Sequence, residues 1–145
     1  MIWLLRHGDA EPHGGQDAAR TLTDKGRAQA EWAGRALTAI GAEIEVCLAS
    51  PKVRAEETAR IACDQLGMEP EIEESLRGGV FDPLELAAGR GEVLLVGHEP
   101  DLSSAVAHLT GARIRLRKGG MAAVEGGMLH ALYRPKDLRV MAAAA

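Results

Sequence analysis

Cysteine is scarce in this chain. Cys47 and Cys63 are the only two in 145 residues, and they make neither a metal-ligand spacing nor a disulfide framework. Both stand among apolar neighbours and read as two reduced, buried thiols of a cytoplasmic protein. Long hydrophobic runs are missing too. No stretch approaches the roughly 20 apolar residues of a membrane span, so no membrane partner is expected. The apolar start Met1–Leu5 meets Arg6 too soon to be a secretion signal. Positive charge is not in excess: 17 Lys and Arg against 21 Asp and Glu leave a net −4, which gives nucleic acid no general attraction. No His-Glu-x-x-His or comparable metal spacing occurs, so no metal and no cofactor are expected. There is no internal repeat, and Ala142–Ala145 reads as a frayed end.

What the chain does hold is core material. A hydrophobic share of 46% with 26% charged is ordinary for a globular protein. The length allows one packed domain over residues 1–145, expected as a monomer. Met1–Leu5 reads as a buried strand, followed by a Pro- and Gly-rich loop in which His13 reads as exposed. Thr23 or Asp24 caps a helix that runs to about Ile40, with Trp32, Ala33, Ala36, Leu37 and Ile40 as its apolar stripe. A second strand spans Ile44–Ala49. A helix over Lys52–Leu66 follows it, with Val53, Ala55, Ile61, Ala62 and Leu66 as core positions. Glu69–Glu74 reads as a short acidic edge strand and Leu84–Ala88 as a short helix. Glu92–Val96 is the clearest buried strand, and a helix starts at Pro100. Repeated strand–loop–helix units point to a parallel sheet with helices on its faces. Ala122–Glu125 and Leu129–Tyr133 form a hairpin across Gly126-Gly127.

Three strand ends carry unusual groups: Arg6-His7-Gly8, Ser50-Pro51-Lys52-Val53-Arg54 and Gly97-His98. In an open α/β sheet, ligands bind at the carboxyl ends of the strands. Two arginines and two histidines brought to one point repel one another unless an anion sits among them. A phosphoryl group fits, because guanidinium forks match its oxygens.

Arg6-His7-Gly8-Asp9-Ala10, Leu22-Thr23 with Gly26 and Gln29-Ala30, Ser50-Pro51 with Arg54-Ala55 and Thr58-Ala59, and Gly97-His98 with Pro100 together resemble the histidine phosphatase (phosphoglycerate-mutase-like) superfamily. The Arg-His-Gly-Asp-Ala form, the short chain and Leu76-Arg77-Gly78-Gly79 most resemble its SixA-type phosphohistidine phosphatases. The resemblance implies a three-layer α/β/α sandwich on a mostly parallel sheet with one antiparallel strand. It makes His7 the nucleophile that forms a phosphohistidine intermediate, with its other ring nitrogen donating to a backbone carbonyl. Arg6, Arg54, His98 and Gly8 would bind the phosphoryl group, with His98 as a cationic donor. The implied partner is a phosphorylated protein, such as a phosphohistidine-bearing signalling domain.

The chain departs from the wider family in offering no clear proton donor to an alkoxide. Glu73, Glu74, Asp82 and Glu99 are candidates by position, and each also reads as a surface acid. An imidazole leaving group needs such an acid less. A small-molecule phosphatase or mutase of the same superfamily is the alternative, and a non-catalytic phosphate-binding module a further one. Outside the match, Arg113-Ile114-Arg115-Leu116-Arg117-Lys118 alternates strictly and reads as extended with one basic face. It is either an edge strand defended by charge or a docking strip for an acidic partner. His108 and His130 read as surface histidines.

Overall fold

Strand β1 (Ile2–Arg6) lies near the middle of the sheet and is buried along nearly its whole length. That position explains its composition, because a strand covered on both faces has no polar side to show. A computed structural model describes residues 1–12 and 15–145; His13 lies outside them. The remaining strands are β2 (Val46–Ala49), β3 (Glu71–Ile72), β4 (Val93–Gly97), β5 (Met121–Glu125) and β6 (Met128–Tyr133), in the sheet order β3-β2-β4-β1-β5-β6. β1 pairs in parallel with β4, and β4 and β3 each pair in parallel with β2. β5 runs antiparallel to both of its neighbours, so it is the one reversed strand. This is the mixed sheet that the resemblance implies.

The helices are α1 (Asp24–Ala39), α2 (Val53–Leu66), α3 (Pro83–Ala87), α4 (Asp101–Thr110) and α5 (Pro135–Ala142). Trp3, Leu5, Cys47, Leu94 and Met121 pack on one face with α1, α2 and α5 through Ala33, Leu37, Ala59, Ala62 and Leu138. Ile2, Leu4, Leu48, Leu95 and Val124 pack on the other with Leu102 and Val106 of α4. Thr23 is the N-cap of α1, its hydroxyl accepting from Gly26 N–H at 3.0 Å. Gly67 ends α2 at φ +69°, the left-handed conformation that glycine adopts without strain. Both cysteines are buried and free.

Several expectations need correction. Ile40 is 43% exposed, because α1 ends before it. On α2 the buried stripe is Ala55, Thr58, Ala59, Ala62 and Cys63 rather than Val53 and Ile61. Ala142 belongs to α5 and is buried, so the terminal alanines do not all fray. Residues 113–117 form no regular element and Lys118 lies in a turn; exposed arginines alternate with the half-buried Ile114 and the buried Leu116, and the segment pairs in no strand ladder. The two edges of the sheet are β3 and β6, so residues 113–118 are not an edge strand and the defended-edge reading fails. Among the described residues no helix is long and apolar enough to cross a membrane.

Candidate active site

Parallel pairing of β1, β4 and β2 brings their carboxyl ends to one rim of the sheet, and the register aligns Arg6 with Gly97. His7 N–H donates to the Gly97 carbonyl at 3.1 Å. The His7 and His98 rings therefore face each other, their centroids 5.2 Å apart at 52°. Arg54 reaches the same rim from the first turn of α2, and Ser50 directly follows β2. His7, Arg54, Ser50 and His98 are all buried.

The turn after β1 is held tightly. The Gly8 N–H donates to Thr58 Oγ1 at 3.0 Å, and that hydroxyl donates to the Arg54 carbonyl at 2.7 Å. The Asp9 N–H donates to Gln29 Oε1 at 2.8 Å. A Cβ on Gly8 would come within 2.5 Å of the Gly26 carbonyl oxygen, and one on Gly26 would overlap the Asp9 carbonyl. Both glycines are there for close approach, since neither has a positive φ. The N-terminus of α1 thus presses directly against the turn that carries His7.

The geometry defines the chemistry of the two rings. His7 Nδ1 lies 2.7 Å from the Gly8 carbonyl. A carbonyl only accepts, so Nδ1 carries the proton and Nε2 keeps a free lone pair. Burial, followed by the Arg54 and Arg6 charges, pushes His7 down to about 4 against the opposing pull of Gly8. The ring is a neutral base at physiological pH. His98 is pushed down to about 3 by burial, then by His7, Arg54 and Lys52. The structure therefore holds His98 neutral where the sequence reading makes it a cation. It still has a route to donate. Ser50 Oγ accepts from Lys52 N–H at 3.2 Å and lies 2.8 Å from His98 Nε2. Donation by the hydroxyl to Nε2 leaves the proton on Nδ1.

Three buried side-chain nitrogens among the described residues have no hydrogen-bond partner: Arg6 Nε, Arg54 Nε and His98 Nδ1. Buried polar groups are normally satisfied, so three orphans in one site mark a place built for acceptor oxygens.

A model of the histidine phosphatase superfamily, branch 1, matches residues 2–86. The chain belongs to this superfamily. An uncharacterized protein of Picosynechococcus is 33% identical over 140 residues, which cover 87% of this chain and 85% of that one. A mitochondrial serine/threonine-protein phosphatase, Pgam5, of Drosophila yakuba is 41% identical over 70 residues, only 24% of its own length. Among solved structures, the protein histidine phosphatase SixA complexed with tungstate superposes with a TM-score of 0.82 at 25% identity, covering 94% of this chain and 98% of that one. The SixA protein of Agrobacterium tumefaciens gives 0.77 at 20% identity, over 92% and 97% of the two chains. The fold of this histidine phosphatase is therefore SixA-like.

Within this histidine phosphatase the predicted residues Arg6, His7, Arg54 and His98 come together. Gly8, expected to bind the phosphoryl group, has its N–H committed to Thr58 and its carbonyl to His7, so its place is to orient the ring. The four candidate acids are committed as well. Glu73 accepts from Ser75 N–H and Oγ, and Glu74 pairs with Arg77. Asp82 caps α3. Glu99 accepts from Ser103 and, at 3.1 Å, from Leu116 N–H.

The sequence reading misses Asp17, which lies in a 3₁₀ turn over Arg54. Its carbonyl and Oδ2 accept from Arg54 Nη1 and Nη2 at 3.0 and 3.2 Å. Arg20, then Arg54 and Lys52, hold its carboxyl down at about 2. Nothing local singles it out, because a lone aspartate before two alanines carries no motif. Among the described residues no group of three His, Cys, Asp or Glu is placed to hold a metal ion.

Proposed function

We propose that this histidine phosphatase removes phosphoryl groups from phosphohistidine on a protein, through a covalent phosphohistidine at His7, with residues 1–145 acting as one catalytic domain. The observation that carries the reading is the set of three unpartnered buried nitrogens around a neutral His7 whose Nε2 lone pair is free. In the first step His7 Nε2 attacks phosphorus and the bond from phosphorus to the substrate imidazole breaks. A substrate ring protonated on its other nitrogen leaves as neutral imidazole. His7 becomes a phosphoimidazolium whose Nδ1–H stays on the Gly8 carbonyl. In the second step a water oxygen attacks phosphorus, the bond to Nε2 breaks, and dihydrogen phosphate leaves with both water protons. Nucleophile and leaving group are the same kind of ring, so neither step asks for a carboxylic acid. This agrees with Glu73, Glu74, Asp82 and Glu99 being tied up in local hydrogen bonds or ion pairs. Arg6, Arg54 and neutral His98 donate to the equatorial oxygens, where charge accumulates.

The test is rapid acid-free quenching after mixing with a phosphohistidine peptide labelled on phosphorus. Wild type should carry label that survives alkali and is lost in acid. His7→Ala should carry none and turn nothing over while remaining folded by circular dichroism. Near-wild-type turnover by His7→Ala would refute the mechanism. Faster hydrolysis of phosphoglycerate or sugar phosphates than of phosphohistidine would assign the site to small molecules instead.

A further inference from the structure

We infer that Arg113, Arg115 and Arg117 form a docking strip for an acidic stretch of the phosphorylated partner protein, laid beside the phosphoryl site. The inference rests on the proposed protein substrate. Its first support is the fate of the other arginines. In an acid-rich chain seven of the other ten arginines pair with carboxylates: Arg20, Arg27, Arg35, Arg54, Arg60, Arg77 and Arg134. Of the remaining three, Arg6 lies in the site, Arg139 stacks on Trp32, and Arg90 stands alone on the surface. Among the described residues no ion pair involves Arg113, Arg115 or Arg117, although all three are exposed. Lys118, next along, is paired with Asp9 at 3.5 Å.

The second support is rigidity. Leu116, between two of these arginines, is buried. Its N–H donates to Glu99 Oε2 at 3.1 Å and its carbonyl accepts from Arg6 Nη1 at 3.0 Å. The strip is thus clamped by the residue after His98 and by the residue before His7. Burial, and after it the nearby Arg115 charge, lowers the pKa of the Arg6 guanidinium against the opposing pull of Glu99. A recess of about 420 Å³ lies against Arg115 and Arg117.

The third support is that the structural explanation has gone. The segment lies outside the sheet, so its charge defends no edge. Arg113, Arg115 and Arg117 are exposed while Ile114 and Leu116 between them turn inward, so three unpaired cations stand close together on the surface. The occupant whose charge complements them is a polypeptide segment rich in Asp and Glu, continuous with the phosphorylated residue. Rim charges of this kind act chiefly on association rate, and salt screens them.

The experiment uses two synthetic peptides of equal length, each with one phosphohistidine, flanked by Asp and Glu in one and by Ser and Gln in the other. The readout is the ratio of their kcat/KM values. Wild type should favour the acidic peptide about fivefold at low salt, with the ratio falling toward one at about 0.5 M salt. Arg115→Gln with Arg117→Gln should bring it to about one at any salt and leave p-nitrophenyl phosphate hydrolysis within about twofold. A wild-type ratio of one, a ratio unchanged in the variant, or an equal loss on all three substrates would overturn the docking strip. Absolute turnover tests the proposed reaction separately. If neither peptide is cleaved, that reaction falls. The strip is then read from fluorescence anisotropy of the unphosphorylated pair, where wild type must bind the acidic peptide more tightly and the variant must not. Tighter binding of a short single-stranded DNA than of the acidic peptide would assign the strip to nucleic acid and overturn the inference.

Discussion

Thr58→Val replaces a buried hydroxyl with a methyl of nearly the same size and tests how the turn carrying His7 is held. Thr58 is fully buried. Its Oγ1 accepts from Gly8 N–H at 3.0 Å and donates to the Arg54 carbonyl at 2.7 Å. The two losses are unequal. Thr58 N–H is spaced to keep the Arg54 carbonyl in the helical bonding of α2, so that acceptor stays satisfied. The Gly8 N–H has no second partner and would be stranded where water does not reach. An orphaned buried donor costs about 1–3 kcal/mol, which for a domain of this size lowers Tm by roughly 3–10 °C. The functional cost follows from the other side of the same residue, since the Gly8 carbonyl fixes the His7 tautomer. Urea unfolding at pH 7 should show a lower midpoint at unchanged slope, and turnover should drop with it. Thr58→Ser, which restores the hydroxyl without the methyl, should recover most of both. If the valine variant matched wild type in midpoint and rate, or if serine and valine fell equally, the hydroxyl would not be what holds the turn.

Arg54→Lys keeps the charge but loses the planar fork; turnover should fall about 100-fold with a smaller change in KM, read by steady-state kinetics. Gly26→Ala places a methyl against the Asp9 carbonyl and should cost about 1–3 kcal/mol in urea unfolding, with loss of activity as α1 backs away from the turn. His7 and His98 are held at about 4 and about 3, below the usual value of about 6.5. The unfolded chain therefore binds more protons across that interval, and stability is full above it and falls as pH drops. Each ring should cost about 2 kcal/mol between pH 7 and pH 5, and a flat urea midpoint across that range would contradict the shifts. Long-range ¹⁵N–¹H spectra at pH 5.5 should show His7 neutral with its proton on Nδ1; an imidazolium there would contradict the same assignment.

The strands and the site were legible for one reason. β1 and β4 are near-continuous apolar runs that stop at a histidine, and burial on both faces leaves that signature in a single sequence. Arg54 followed from its place in the first turn after β2. The helix α5 was overlooked although its start is written in Arg134-Pro135-Lys136-Asp137. Proline sits at the first helical position, and Asp137 accepts from the Arg134 N–H at 2.8 Å. Leu138, Met141 and Ala142 then supply the inward face. Asp17 was not legible, because its importance lies in where the chain passes over α2. The neutral state of His98 was hidden for a similar reason: desolvation depends on what packs around a ring, and sequence neighbours do not report it. The strip at residues 113–118 kept its alternation but not its ladder. Alternation records one buried side and says nothing about whether a strand lies alongside.

The sheet order carries a consequence for how the molecule assembles. β1 touches no strand that precedes it or soon follows it; its two partners, β4 and β5, begin at Val93 and Met121. Residues 2–86, which match the family model, contain β1, β2 and β3 but not the strand that sits between β1 and β2. A nascent chain of that length has helices able to form locally, yet its first strand has nowhere to dock. Pairing Ile2 with Val93 and with Val124 closes loops of some ninety and some hundred and twenty residues, and such long-range pairing slows folding. Residues 2–86 alone thus cannot close the sheet around β1, and His7, whose N–H donates to the Gly97 carbonyl, is held in place only once β4 has paired.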